Sequence, residues 1–308
     1  MKVLTSCLGV LLTAILSSSP QSATLERDDP TSSQEETSLV SFGGDFGLAL
    51  DNYRSLPEGS WEGNMGAFFS GNFKMMLPMS FLFQVGGSYG LYNWDGRASA
   101  PLNNTNMLQQ QGFITTALSR ETSSFSGVNF GVAYDWMLNK SLGVFAVNPF
   151  ISQVRAQLGY LIHGNNEIGA WATINTNTSH KTSENMPIKF RAVSQANIFW
   201  TYHFQNKAFT TLWAGTPYRR GLMYSSGRAG TYLVGTRFQA PLTNRLNIFG
   251  HGMYMGSRKS LSSSTSKNYA ADVCFGIAYA FGKGVVKDSS YVSIANNSNF
   301  IIDTNANY

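Results

Sequence analysis

The chain has 308 residues and a formal net charge of +5, with 43% hydrophobic, 13% aromatic and 13% charged residues. Charge at about half of the ~25% usual in soluble domains, beside so many aromatics, excludes disorder and coiled coil. No run of about 20 apolar residues marks a helical membrane span. The basic residues are scattered and form no stripe, so the electrostatic footprint of nucleic-acid binding is missing.

Residues 1–23 read as a secretory signal peptide. Lys2 supplies the positive start, Val3 to Leu16 a short apolar stretch, and small or polar residues lead to cleavage after Ala23. Leu4-Thr5-Ser6-Cys7 is not a lipidation site, because its apolar stretch follows the cysteine and does not precede it. Export leaves Cys274 as the only thiol, which rules out an intrachain disulfide. Residues 24–38 are acidic and polar without apolar period, and read as a flexible linker.

From residue 39 onward the chain alternates with period two. Between 128 and 138, Val128, Phe130, Val132, Tyr134, Trp136 and Leu138 share one face, opposite Asn129, Gly131, Ala133, Asp135 and Met137. The same pattern recurs around 152–162, 196–204, 232–240 and 273–281. About twelve strands are expected, with ten as the alternative count: 39–50, 63–77, 79–94, 110–120, 126–138, 142–162, 167–180, 189–204, 207–216, 230–240, 245–258 and 269–281. A soluble β-sandwich also alternates, but these segments exceed the usual 5 or 6 residues. Their second face is also poor in Lys and Glu and rich in Gly, Ala, Ser, Asn and Gln. The fold class is therefore all-β: a transmembrane antiparallel up-and-down barrel over 39–282, with 283–308 as a C-terminal periplasmic tail. Short and long connections alternate as such a barrel requires, except at Asn139-Lys140-Ser141, where a long one is due.

On the inward parity lie the lumen candidates Lys74, Gln84, Asp135, Gln153, Arg155, Gln157, Asn197, Arg237, Gln239 and Asp272. Trp200, Tyr202, Phe204, Tyr279 and Phe281 end descending strands and are expected to form a periplasmic aromatic girdle. Outer-membrane lipid is the expected surroundings.

Gly276-Ile277-Ala278-Tyr279-Ala280-Phe281 resembles the terminal-strand signal of bacterial outer-membrane proteins. That resemblance implies recognition by the barrel assembly machinery and a Gram-negative-type outer-membrane location. Two departures stand out: Cys274 occupies the signal's polar first position, and the chain continues after Phe281. Phe300, Ile302 and Ala306 are in phase up to Tyr308, which makes the tail the alternative terminal strand, but 283–299 offers no hairpin partner and 269–281 is favoured as the closing one. Gln153 to Tyr160, Asn166 to Trp171, Tyr202-His203-Phe204 and Leu212 to Gly215 are similar to an uncharacterised family of exported barrel proteins of planctomycete, verrucomicrobial and chlamydial type. The resemblance implies the architecture and no activity.

Catalytic, metal and cofactor motifs are absent from the sequence: no His-Glu-x-x-His, Cys-x-x-Cys, phosphate loop or nucleophile elbow occurs. The one enzyme alternative is a barrel phospholipase built on His251 with Ser257 or Ser260, although His251 falls on the inward parity. A narrow passive channel for small polar solutes is the leading expectation. The alternative is a closed barrel, structural or interacting through the loop aromatics Tyr53, Trp61, Trp94 and Tyr218.

Overall fold

The computed structural model describes residues 41–55, 63–92, 108–122, 126–143, 145–183, 185–222, 227–256, 269–282 and 291–305. The signal peptide, the 24–38 linker, Trp61 and Trp94 lie outside the described residues.

The strands are β1 (Ser41–Arg54), β2 (Asn64–Leu77), β3 (Phe81–Tyr92), β4 (Gln109–Arg120), β5 (Gly127–Lys140), β6 (Phe150–Ile162), β7 (Asn166–Asn175), β8 (Ser179–Ser183), β9 (Met186–Ala192), β10 (Gln195–His203), β11 (Phe209–Pro217), β12 (Leu233–Pro241), β13 (Leu246–Met255), β14 (Ala270–Gly282) and β15 (Ile302–Thr304). All but β8, β9 and β15 close into one antiparallel barrel, in which β14 completes the circle against β1 from Gly43↔Gly282 to Arg54↔Ala271. Closure follows from the alternation. Each strand has one apolar face, and a closed sheet turns every such face to the same side while leaving no edge unpaired.

That apolar face is outward. Leu48, Phe69, Phe73, Val132, Leu158, Phe275 and Ile198 are exposed, Ile198 to 70%. A belt of this kind is unfavourable against water and matches the hydrocarbon-facing wall of a transmembrane barrel. The strands joined by short connections, β2 to β3, β4 to β5, β6 to β7, β10 to β11 and β12 to β13, meet at one end of the barrel, which is its short-turn end; strands further apart in sequence meet at the other, the long-loop end. Trp200, Tyr202, Phe204, Tyr279 and Phe281 stand on the outer face towards the short-turn end. There Tyr202 and Phe204 meet at 4.8 Å and Phe281 stacks on Phe46 at 5.1 Å. Trp200 Nε1 donates to Asn166 Oδ1 (3.1 Å) and Arg245 Nη1 to the Tyr279 hydroxyl (3.1 Å), so the polar tips of these rings are satisfied there.

Three expectations need correction. The strand expected from 142 begins at Phe150; nine residues separate it from the end of β5 at Lys140, which is the long connection that the alternation demands, and within it Leu142 and Val147 form a bridge. The strands expected over 167–180 and 189–204 stay in the wall only up to Asn175 and from Gln195; the ends that face the connection leave it as the hairpin β8–β9, so that β7 pairs directly with β10. The C-terminal tail, finally, does not trail from the barrel. Residues 291–304 run along its inside.

The route of this segment is defined by its contacts. At the short-turn end the Tyr291 N–H donates to Glu121 Oε1 (3.0 Å), and Val292 packs on Ala117 and Ala133. At the long-loop end, Phe300 and Ile302 enter one apolar core with Phe113, Met137, Ile188 and Phe190, while Ile301 between them enters a second with Leu233 and Met255. This is period-two alternation serving two cores, and each fully buried side chain contributes about 1.5–3 kcal/mol. Ile302–Thr304 then pair with β9 as the third strand of a small sheet over the long-loop mouth.

Candidate functional site

Register alone assembles the lumen. From Gln109 on β4 the paired inward positions run through Tyr92, Gly66 and Asp51 to Cys274, His251, Arg237, Thr211, Thr201 and Glu167. Strand tilt makes this row a spiral, from the long-loop end at Gln109 to the short-turn end at Glu167. Gly66 is the gap in it. A Cβ there would lie 2.4 Å from the Tyr92 ring, and its absence lets the phenol cross to Asp51, where the hydroxyl donates to Oδ2 at 2.9 Å. Gln109 Nε2 donates to the Tyr53 hydroxyl, and Tyr53 meets Tyr92 edge-on at 4.8 Å. Tyr53 is thus a lumen residue and not a loop aromatic; it is 2% exposed. Tyr218, by contrast, stays on a loop and donates to the Thr173 carbonyl (3.0 Å).

On the opposite wall Asp135 is fully buried and completely satisfied. It accepts from Thr115 Oγ1 (2.9 Å), Gln153 Nε2 (3.0 Å), and Arg155 through both Nε (2.9 Å) and Nη2 (3.1 Å). A two-pronged guanidinium on a carboxylate is a strong and directional pairing. Arg155 then reaches inward, with Nη2 donating to the Ser293 carbonyl (2.6 Å) and Nη1 to Ser293 Oγ (3.2 Å). Gln153 Nε2 donates to the Asn299 carbonyl (3.2 Å), and the Ala295 N–H to Thr115 Oγ1 (2.9 Å). Across the lumen, Asn297 Nδ2 donates to Asp51 Oδ2 (3.0 Å), and Ser298 Oγ to Asp272 Oδ2. Both walls therefore grip one Asn-Asn-Ser-Asn turn, closed on itself by the Phe300 N–H to the Asn296 carbonyl (2.9 Å).

The remaining lumen candidates also lie on the inner face. Lys74 pairs with Asp45 (3.2 Å), Asn197 donates to Gln195 Oε1 (3.2 Å), Gln84 is buried, and Gln157 is half-buried. Arg237 rests its guanidinium 5.0 Å from the Phe209 ring. Together with Gln239, it faces a cavity of about 140 Å³ in the short-turn half, shared with Asp45, Lys74, His251 and Asn296. His251 is buried and faces inward; Ser257 and Ser260 lie outside the described residues. Sequence reading missed Asp51, His251 and Cys274 as a group. Their only signal is shared inward parity on strands whose adjacency appears on closure.

Residues 41–302 match the family described as "Family of unknown function (DUF6666)". The chain belongs to that family. Members of this family carry no assigned activity in its description, and no curated protein matches the chain. Among solved structures, it is similar to outer membrane phospholipase A from Escherichia coli (9% identity, TM-score 0.42, covering 77% of this chain and 95% of that one). It is also similar to the Pseudomonas putida toluene transporter TodX (9%, 0.41, 78% and 89%). A third is the translocator domain of the autotransporter NalP from Neisseria meningitidis (11%, 0.40, 78% and 88%). These are likenesses of fold.

Proposed function

We propose that this protein is a bacterial outer-membrane barrel whose path for small polar solutes is closed at rest by its own C-terminal segment. The supporting observation is the grip of both lumen walls on residues 293–299, from Arg155, Gln153, Asp51 and Asp272. An inner wall lined with paired charges and amides makes a polar path once vacated. While the segment is docked, the same groups spend their hydrogen bonds on it. The apolar belt, the short-turn girdle and the terminal-strand signal support insertion into the outer membrane by the assembly machinery, after export by the 1–23 leader. In this reading the short-turn end is periplasmic and the β8–β9–β15 sheet covers the outer mouth. The barrel has no catalytic role in this proposal, since His251 is turned away from lipid.

Planar-bilayer recording tests it. The refolded full chain should be electrically quiet, and a chain lacking 291–308 should show single-channel steps, with heat-modifiable gel migration confirming that each is folded. Conductance of the full chain equal to that of the truncated one would remove the gating role. A folded truncated barrel that stays silent would favour the second reading, a closed surface-interaction barrel, for which the sheet at the long-loop mouth is the supporting observation.

A further inference from the structure

Asp51, Cys274 and His251 occupy consecutive inward positions across β1, β14 and β13 (Asp51↔Cys274, Cys274↔His251). A carboxylate oxygen, the Sγ and a ring nitrogen of these three lie within 4.8 Å of one another, and all three residues are buried. Asp272, two residues along β14, brings a second carboxylate, with Oδ2 at 3.1 Å from His251 Nε2. Asp51 Oδ1 and Asp272 Oδ1 are buried and accept from no N–H donor, and the two carboxyl groups lie within hydrogen-bonding reach of each other. Two carboxyl groups held together in a buried site carry a large desolvation cost as carboxylates unless a shared proton or a bound cation offsets it. Along the row the next cation is Arg237, which is turned against the Phe209 ring.

We propose that Asp51, His251 and Cys274, with Asp272 as fourth donor, bind a divalent transition metal of the zinc type. The mixed sulfur, nitrogen and oxygen set fits such an ion, whereas calcium and magnesium take oxygen donors. Metal–donor bonds of about 2.0–2.3 Å require donor separations of roughly 3.3–3.8 Å, so the side chains draw in by about an ångström. Around them Tyr92 and Asn297 donate to Asp51 Oδ2, and Ser298 to Asp272 Oδ2, which fixes the carboxylates as outer partners do in built metal sites. Of the four donors, His251 also borders the cavity in the short-turn half. The site stands whether or not the barrel conducts.

The test uses the refolded full chain, stripped with chelator and given Zn²⁺ or Co²⁺. About one equivalent of zinc should survive gel filtration, and cobalt should give a thiolate charge-transfer band that Cys274→Ser abolishes. Cys274→Ser and His251→Gln should each weaken zinc binding about tenfold or more. In the unaltered chain, zinc should also slow alkylation of Cys274 about tenfold relative to chelated protein, a readout that needs no variant. Failure to retain metal, or retention and alkylation indifferent to these changes, would overturn the site and leave an adventitious ion only.

Discussion

Arg155 holds both oxygens of Asp135 and, with the same guanidinium, the Ser293 carbonyl of the C-terminal segment. One buried ion pair thus joins the barrel wall to what fills it. Asp135→Ala leaves the arginine buried and unpaired, which should cost about 3–5 kcal/mol. Replacing both partners with apolar residues of similar volume should cost less. Urea unfolding of the single and double variants in micelles compares them directly.

Gly66→Ala should be more harmful than a strand glycine usually is. The added Cβ would meet the Tyr92 ring at 2.4 Å and the Leu91 carbonyl at 2.3 Å, so the phenol must leave Asp51. A loss of about 1–3 kcal/mol is expected, against about 1 kcal/mol for Tyr92→Phe, which keeps the ring in place. Equal losses in the two would show that Gly66 does not position Tyr92.

Phe300 is 1% exposed in the core under the mouth sheet. Phe300→Ala should weaken that core by about 3–5 kcal/mol, largely as release of the tail and not as barrel unfolding. Limited proteolysis should then clip the C-terminal segment while the barrel keeps its heat-modifiable migration.

Docking of the tail should depend on pH through Asp303, on the mouth sheet beyond the barrel strands. Burial pushes its carboxyl up to about 6, against the lowering effects of the Leu222 N–H and Arg191. A docked value above the usual 3.8 means that docking takes up a proton in this interval. Docking is therefore firmest in acid and weakens as pH rises from about 4 through 6. Exchange-corrected protection of the Ile302–Thr304 amides should fall over that range in the unaltered chain. The fall should be smaller in Asp303→Asn.

Ile198 is the most exposed of the large apolar residues on β10. In water, Ile198→Arg would be nearly neutral. Facing hydrocarbon near mid-membrane, it should cost about 2–4 kcal/mol. Reversible unfolding in lipid vesicles tells the two apart.

Much of the barrel was legible because strand alternation is local: parity assigns a face from two neighbours, as for Asp135 between Tyr134 and Trp136. It identified Arg155 and Asp135 as inward residues of opposite charge. It did not show that they hold Ser293, because nothing in 283–308 beyond the phase of Phe300 and Ile302 marks that segment as interior. The breaks at Asn175 and Gln195 were equally hidden, since a protruding hairpin alternates as the wall does.

By itself the sequence determined a closed antiparallel barrel, most of its inward residues and its closing strand, all set by period two and by connection lengths. Only the tertiary structure decided that the lumen is filled from within and that Asp51, His251 and Cys274 meet. Those contacts span the whole chain (Asn297 bonds Asp51 across 246 positions). They come from closing the sheet on itself, and no local pattern encodes that closure register.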